Sequence, residues 1–93
     1  MTVQNEKLAK LREEIDTVDA ELFKALQKRF EIVDRVIAVK RDAGIAAMLP
    51  ERVEQVVENV QRHAQATNVP PHIIETLWRQ LIAETIKYEN QRL

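Results

Sequence analysis

The chain contains no cysteine, which excludes disulfides, zinc–thiolate sites and a thiol nucleophile. Glycine occurs once, at Gly44, and the aromatic residues are one tryptophan, one tyrosine and two phenylalanines. With glycine so scarce and the β-branched residues at helical rather than alternating spacing, the chain reads as all-α. The two histidines, His63 and His72, fall near predicted helix ends and lack the spacing of a metal pair, so no metal site is expected. Charge of one sign is missing too: 14 Lys+Arg stand against 15 Asp+Glu, which gives no electrostatic pull toward nucleic acid or an anionic membrane. Residues 1–10 are polar without an apolar run, so neither a signal peptide nor a membrane span is expected, and the reading is a soluble, cytoplasmic protein. There are no internal repeats and no low-complexity tracts. Ninety-three residues leave room for one domain, 1–93.

What the chain does have is a long apolar stripe. From Leu8 it passes through Leu11, Ile15, Val18, Leu22 and Ala25 in steps of three and four, the signature of one helix face. Continuing the rhythm gives Arg29, Ile32, Val36 and then Val39 or Lys40. Arg29 and Lys40 thus stand where apolar residues belong. A charge on such a stripe is costly to bury unless something of opposite sign meets it. Two readings stay open: both long stems reach past the core into water, or both meet a bound anion. Eleven steps of ~100° return to nearly the same face, and ~1.5 Å per residue separates the two by ~16 Å along the axis. Side chains converging from both ends would fit a small dicarboxylate.

Three helices are predicted. The first runs from Asn5, as N-cap, to Asp42, with Gly44 as its left-handed terminator. Residues 43–49 form a loop. The second opens at Pro50, where a missing N–H does no harm, buries Val53, Val56, Val57, Val60 and Ala64, and ends near Ala66 with Asn68 left-handed. Pro70 and Pro71 start the third, whose stripe of Ile73, Ile74, Leu77, Trp78, Leu81, Ile82, Thr85 and Ile86 reaches Glu89.

A first helix of roughly 37 residues would span ~55 Å, whereas a compact 93-residue globule is only ~32 Å across. Two shorter helices cannot cover so long a seam, so an intertwined homodimer is expected. Arg12 borders the seam ~25 Å from Arg29, too far to share a small ligand within one helix. An antiparallel partner helix would bring its Arg12 beside Arg29 and Lys40. Taken alone, Arg12 reads as an exposed residue pairing with Asp16.

Leu11-Arg12-Glu13-Glu14-Ile15-Asp16, then Asp19, Arg29, Lys40 and Arg52, together with the three-helix layout, resembles the all-helical chorismate mutases over essentially the whole chain. The resemblance implies an intertwined dimer with two active sites and a chorismate-like dicarboxylate as substrate, in aromatic amino-acid synthesis or a specialised pathway. It implies that Arg12, from the partner chain, holds one substrate carboxylate and Arg29 the other with bidentate geometry. Lys40 would donate to the ether oxygen whose bond breaks, and Arg52 would lie close to the carboxylate region. A Claisen rearrangement needs no nucleophile, base, metal or cofactor, only a folded substrate and cations where negative charge builds. No cofactor is therefore expected.

The chain departs from the family pattern at the ring-facing positions. Leu49 and Val53 replace acidic residues that meet the ring hydroxyl. Thr85 stands for the family's hydroxyl residue on the third helix. Glu89 takes a position often held by glutamine, a donor to the ether oxygen. Thr85 and Glu89 also read as a polar end to the helix stripe. The segment Met48-Leu49-Pro50-Glu51-Arg52-Val53 resembles relatives acting on 4-amino-4-deoxychorismate, and Ile86-Lys87-Tyr88 after Ala83-Glu84 resembles isochorismate-pyruvate lyases. The primary expectation is a chorismate mutase, with these two sister activities as the alternative. A non-catalytic helical dimer that binds a diacid or a protein partner is the third reading.

Overall fold

The computed structural model describes residues 2–93; Met1, the first residue of the expected domain, lies outside them. Three helices follow one another, α1 (Val3–Ala43), α2 (Pro50–Thr67) and α3 (Pro71–Asn90), with no strand among the described residues. The all-α expectation holds.

Local chemistry explains the helix ends. The expected N-cap at Asn5 is wrong, because Thr2 does that work: its Oγ1 accepts the Asn5 N–H at 3.1 Å and its carbonyl accepts the Glu6 N–H at 3.1 Å. A hydroxyl three residues ahead satisfies an orphan amide, so the helix begins earlier. At the other end Gly44 takes φ +68°. Its N–H bonds to the Arg41 carbonyl at 3.4 Å, while the Ile45 N–H bonds to the Lys40 carbonyl at 2.8 Å. That pair of bonds is a Schellman turn, which needs a left-handed residue at this position. Pro50 and Pro71 occupy the first turns of α2 and α3. Asn68, at φ 58°, closes α2 with its N–H on the Ala64 carbonyl.

The chain divides into two compact units, one ending at Asp34 and the other spanning Arg35–Leu93. The first holds α1 as far as Asp34. Its stripe of Leu8, Leu11, Ile15, Val18 and Leu22 is 45–59% exposed, as on a helix that nothing covers. The half-buried positions of this unit are instead Leu26, Arg29, Phe30 and Val33.

In the second unit the buried apolar residues are Ile37 near the end of α1, Ala47 in the loop, and Val57 and Ala64 on α2, while α3 contributes the buried Thr85 and Glu89. The expected apolar face of α2 is half-buried or buried at all five positions. On α3 the expected stripe is too broad: Ile73 and Leu77 remain 50% and 55% exposed. Each lies one residue, about 100°, from the half-buried Ile74 and Trp78. On α1 the choice between Val39 and Lys40 falls to Lys40, which is half-buried while Val39 is 64% exposed.

Across α2 and α3, Arg79 donates through Nη1 and Nη2 to the two carboxylate oxygens of Glu54 at 3.1 and 3.2 Å, and through Nε to Glu75 at 3.0 Å. The hydrogen bond from Arg79, then its charge, holds the Glu54 carboxyl below its ordinary 4.5. A depressed folded value means the contribution to stability is present above 4.5 and lost as pH falls through the lower, folded value. Because these groups are open to water, the effect is small. Arg79→Ala should lower Tm by about 2 °C near neutrality and by less in strong acid, read from melts at the two pH values.

Candidate active site

Lys40 stands in the last turn of α1, and both ends of the residue are occupied. Its carbonyl takes the Ile45 N–H of the Schellman turn. That turn folds the following loop back on the helix, so the Ala47 carbonyl lies 2.9 Å from Lys40 Nζ. Glu89, in the last turn of α3, brings Oε1 to 2.9 Å from the same Nζ. The two side chains keep only 13% and 9% of their surface. An ammonium carries three N–H donors; the Ala47 carbonyl and Glu89 take two and leave one to aim at a further acceptor. Ion pairs sunk this far are weak evidence for stability, since desolvation offsets their attraction. A cation kept partly dry and fixed in direction is, however, what electrostatic catalysis uses.

Thr85 lies one turn before Glu89 on the same face of α3 and is buried. Its hydroxyl donates to the Leu81 carbonyl at 2.7 Å. With its hydrogen spent on its own helix, Thr85 offers a ligand only an acceptor lone pair.

Arg52, in the first turn of α2, is exposed and donates from Nη1 to Gln55 Oε1 at 2.7 Å. Together with Leu49, Pro50, Glu51 and Gln55 it lines an open cleft of about 610 Å³. Leu49 is 38% exposed and Val53 is half-buried. Arg12 and Arg29 belong to the unit ending at Asp34, where Arg12 is exposed and Arg29 half-buried.

The structure thus brings Lys40 and Glu89 together with Thr85 beside them, and sets Leu49 and Arg52 in the cleft at the start of α2. The Ala47 carbonyl was not foreseen. A backbone oxygen leaves no side-chain signature, and the only signal was Gly44 four residues after Lys40, which marks where the chain doubles back. His63 faces another groove, lined also by Val60, Ala64, Thr67, Val69, Ile74 and Trp78. Among the described residues no group of three or more His, Cys, Asp or Glu is placed to hold a metal ion, and no helix is long and apolar enough to cross a membrane.

Comparison with known proteins follows the same lines. Residues 11–90 match the family described as chorismate mutase type II. The chain is 36% identical over 86 residues to the T-protein of Enterobacter agglomerans, an alignment covering 92% of this chain and 23% of that protein. It is 33% identical over 81 residues to the 4-amino-4-deoxychorismate mutase of Streptomyces pristinaespiralis, covering 87% and 63%. With the isochorismate pyruvate lyase of Pseudomonas aeruginosa it shares 35% over 89 residues, covering 90% and 86%. The chain spans about a quarter of the length of the T-protein relatives it matches. No solved structure matches it.

Proposed function

The chain belongs to the chorismate mutase type II family, a family of enzymes, and from that premise we propose that it catalyses the Claisen rearrangement of chorismate to prephenate. The observation that carries this reading is the part-buried Lys40 ammonium, fixed by Ala47 and Glu89 with one donor left over. In the rearrangement the ether C–O bond breaks as a C–C bond forms, and negative charge builds on the ether oxygen. Lys40 donates to that oxygen, and no proton need leave the enzyme. Arg29 and Arg12 hold the two carboxylates, Arg52 adds positive charge near them, and Thr85 accepts from the substrate. The arginines fold the substrate into its reactive conformer, which removes orientational entropy from the barrier.

The site is completed, in this reading, by a second copy supplying Arg12. The half-exposed stripe from Leu8 to Leu22 supports such an intertwined homodimer. Covering the exposed half of each of these side chains is worth about 1 kcal/mol apiece. A folded monomer by sedimentation at low micromolar concentration would overturn the dimer.

A second reading has its own support. Leu49 and Val53 offer nothing that could bond a ring hydroxyl, which favours a substrate with a different ring substituent, 4-amino-4-deoxychorismate or isochorismate. Incubation with each of the three acids decides the matter: prephenate identifies the chorismate mutase, the amino analogue of prephenate the 4-amino-4-deoxychorismate mutase, and salicylate plus pyruvate the isochorismate-pyruvate lyase. Turnover of none removes the enzyme reading.

Glu89 bears on this mechanism through what its side chain can donate. An ether oxygen accepts hydrogen bonds, and an ionised carboxylate has none to give. Glu89→Gln supplies a neutral amide donor in the same place and should raise activity at neutral pH. A Glu89→Gln variant with the wild-type rate would remove Glu89 from the chemistry.

A further inference from the structure

We propose that Arg41 and the turn following α3 form a strap that holds Glu89 against Lys40, making Arg41 a positioning residue. The inference rests on the reading of Lys40 and Glu89 as the reacting centre. Arg41, the neighbour of Lys40, donates from Nη2 to the Arg92 carbonyl at 2.5 Å. The chain reaches that carbonyl through a tight turn. Gln91 N–H bonds to the Lys87 carbonyl at 3.1 Å, and the N–H groups of Arg92 and Leu93 both bond to the Glu89 carbonyl, at 3.0 and 2.9 Å. The Arg92 guanidinium lies 3.5 Å over the Tyr88 ring and donates to the Tyr88 carbonyl at 3.0 Å. Glu89 is therefore gripped by its side chain, by its own carbonyl and through the residue before it.

The last turn of a helix frays because its carbonyls lack intrahelical partners. Here the turn supplies those partners, and Arg41 ties the turn back to α1. Two ties leave consecutive residues of α1, one from Lys40 to Glu89 and one from Arg41 to Arg92, so the two helix ends are joined at the carboxylate and again three residues beyond it.

Magnitudes separate positioning from stability. Arg41 and Arg92 are exposed, and contacts of that kind contribute little to folding. A displacement of about 1 Å at a reacting centre, by contrast, is felt strongly in rate. A structural contact would lower Tm and leave kcat of the folded protein alone; a positioning contact does the reverse.

The test is Arg41→Ala in the full chain, with Arg41→Lys and Glu89→Ala as companions. In Arg41→Ala the amides of Arg92 and Leu93 should exchange with solvent about 10-fold faster, and the NMR signal of the protected Lys40 ammonium should broaden. Expected losses are about 5-fold in kcat with KM within about 2-fold, and no more than about 2 °C in Tm. Arg41→Lys, which keeps a donor, should recover most of the rate. In a Glu89→Ala background Arg41→Ala should cost nothing further, since its path runs through Glu89. Unchanged amide exchange, an unchanged kcat, or an equal loss without Glu89 would each overturn the strap. If wild type turns over none of the three acids, the functional reading fails. The strap is then judged by amide exchange and the Lys40 signal, which support it if they change and overturn it if they do not.

Discussion

Lys40→Ala is expected to lower kcat by at least ~10²-fold while KM moves little, the scale of removing one preorganised donor. The reasoning is differential binding. The ether oxygen of the bound substrate carries little charge, and the bond-breaking transition state carries more, so a donor aimed there is worth most at the top of the barrier. Such a loss appears in kcat rather than KM. The structure adds a complication that the variant must answer. Lys40 also holds the Ala47 carbonyl and the Glu89 carboxylate, each at 2.9 Å. Removing it leaves a buried acid without its cation, and an uncompensated buried charge is strongly destabilising. The double variant Lys40→Ala/Glu89→Gln removes that charge. If it melts like wild type and is still ~10²-fold slower, the loss belongs to the chemistry. Lys40→Ala turning over any of the three acids at near wild-type rate would end the catalytic reading.

The second large effect is recovery rather than loss. Arg12→Ala and Arg29→Ala should each be nearly inactive, because a dicarboxylate that loses one guanidinium partner loses both affinity and orientation. Mixing the two with subunit exchange should restore activity. If Arg12 crosses to the partner's site, a heterodimer holds one site with both lesions and one with neither. About half of wild-type activity per heterodimer is then expected, on simple counting of sites. Mass spectrometry of the mixture verifies exchange. Verified heterodimers without activity would return Arg12 to its own chain's site, or to no site, and with it the plainer reading of an exposed residue paired along its helix.

How much of this was readable beforehand depended on the range of the forces involved. Gly44, Pro50, Asn68 and Pro71 act through φ and a missing N–H, which are properties of the residue itself, so the ends they govern fall where the sequence put them. Thr2 and Asn5 are both good caps, and the hydroxyl of the earlier one won because it reaches the Asn5 amide directly. The face of α1 was harder. A period of three and four describes the line through Leu22, Ile32 and Val36 as well as the line through Leu26, Phe30, Val33 and Ile37. Only burial tells them apart, and it leaves the first exposed and the second half-buried or buried.

By itself the sequence determined the three helices, their order and the misplaced cations on an apolar stripe, because periodicity, proline and left-handed glycine are local and additive. The family resemblance put Glu89 and Lys40 at one ether oxygen; tertiary structure alone decided that the two bond directly to each other, that a backbone oxygen of Ala47 completes the grip, and that Thr85 has already spent its proton on Leu81. Those outcomes depend on which side chains reach one another after the loop at Gly44 turns back, and no residue carries that distance in its own chemistry.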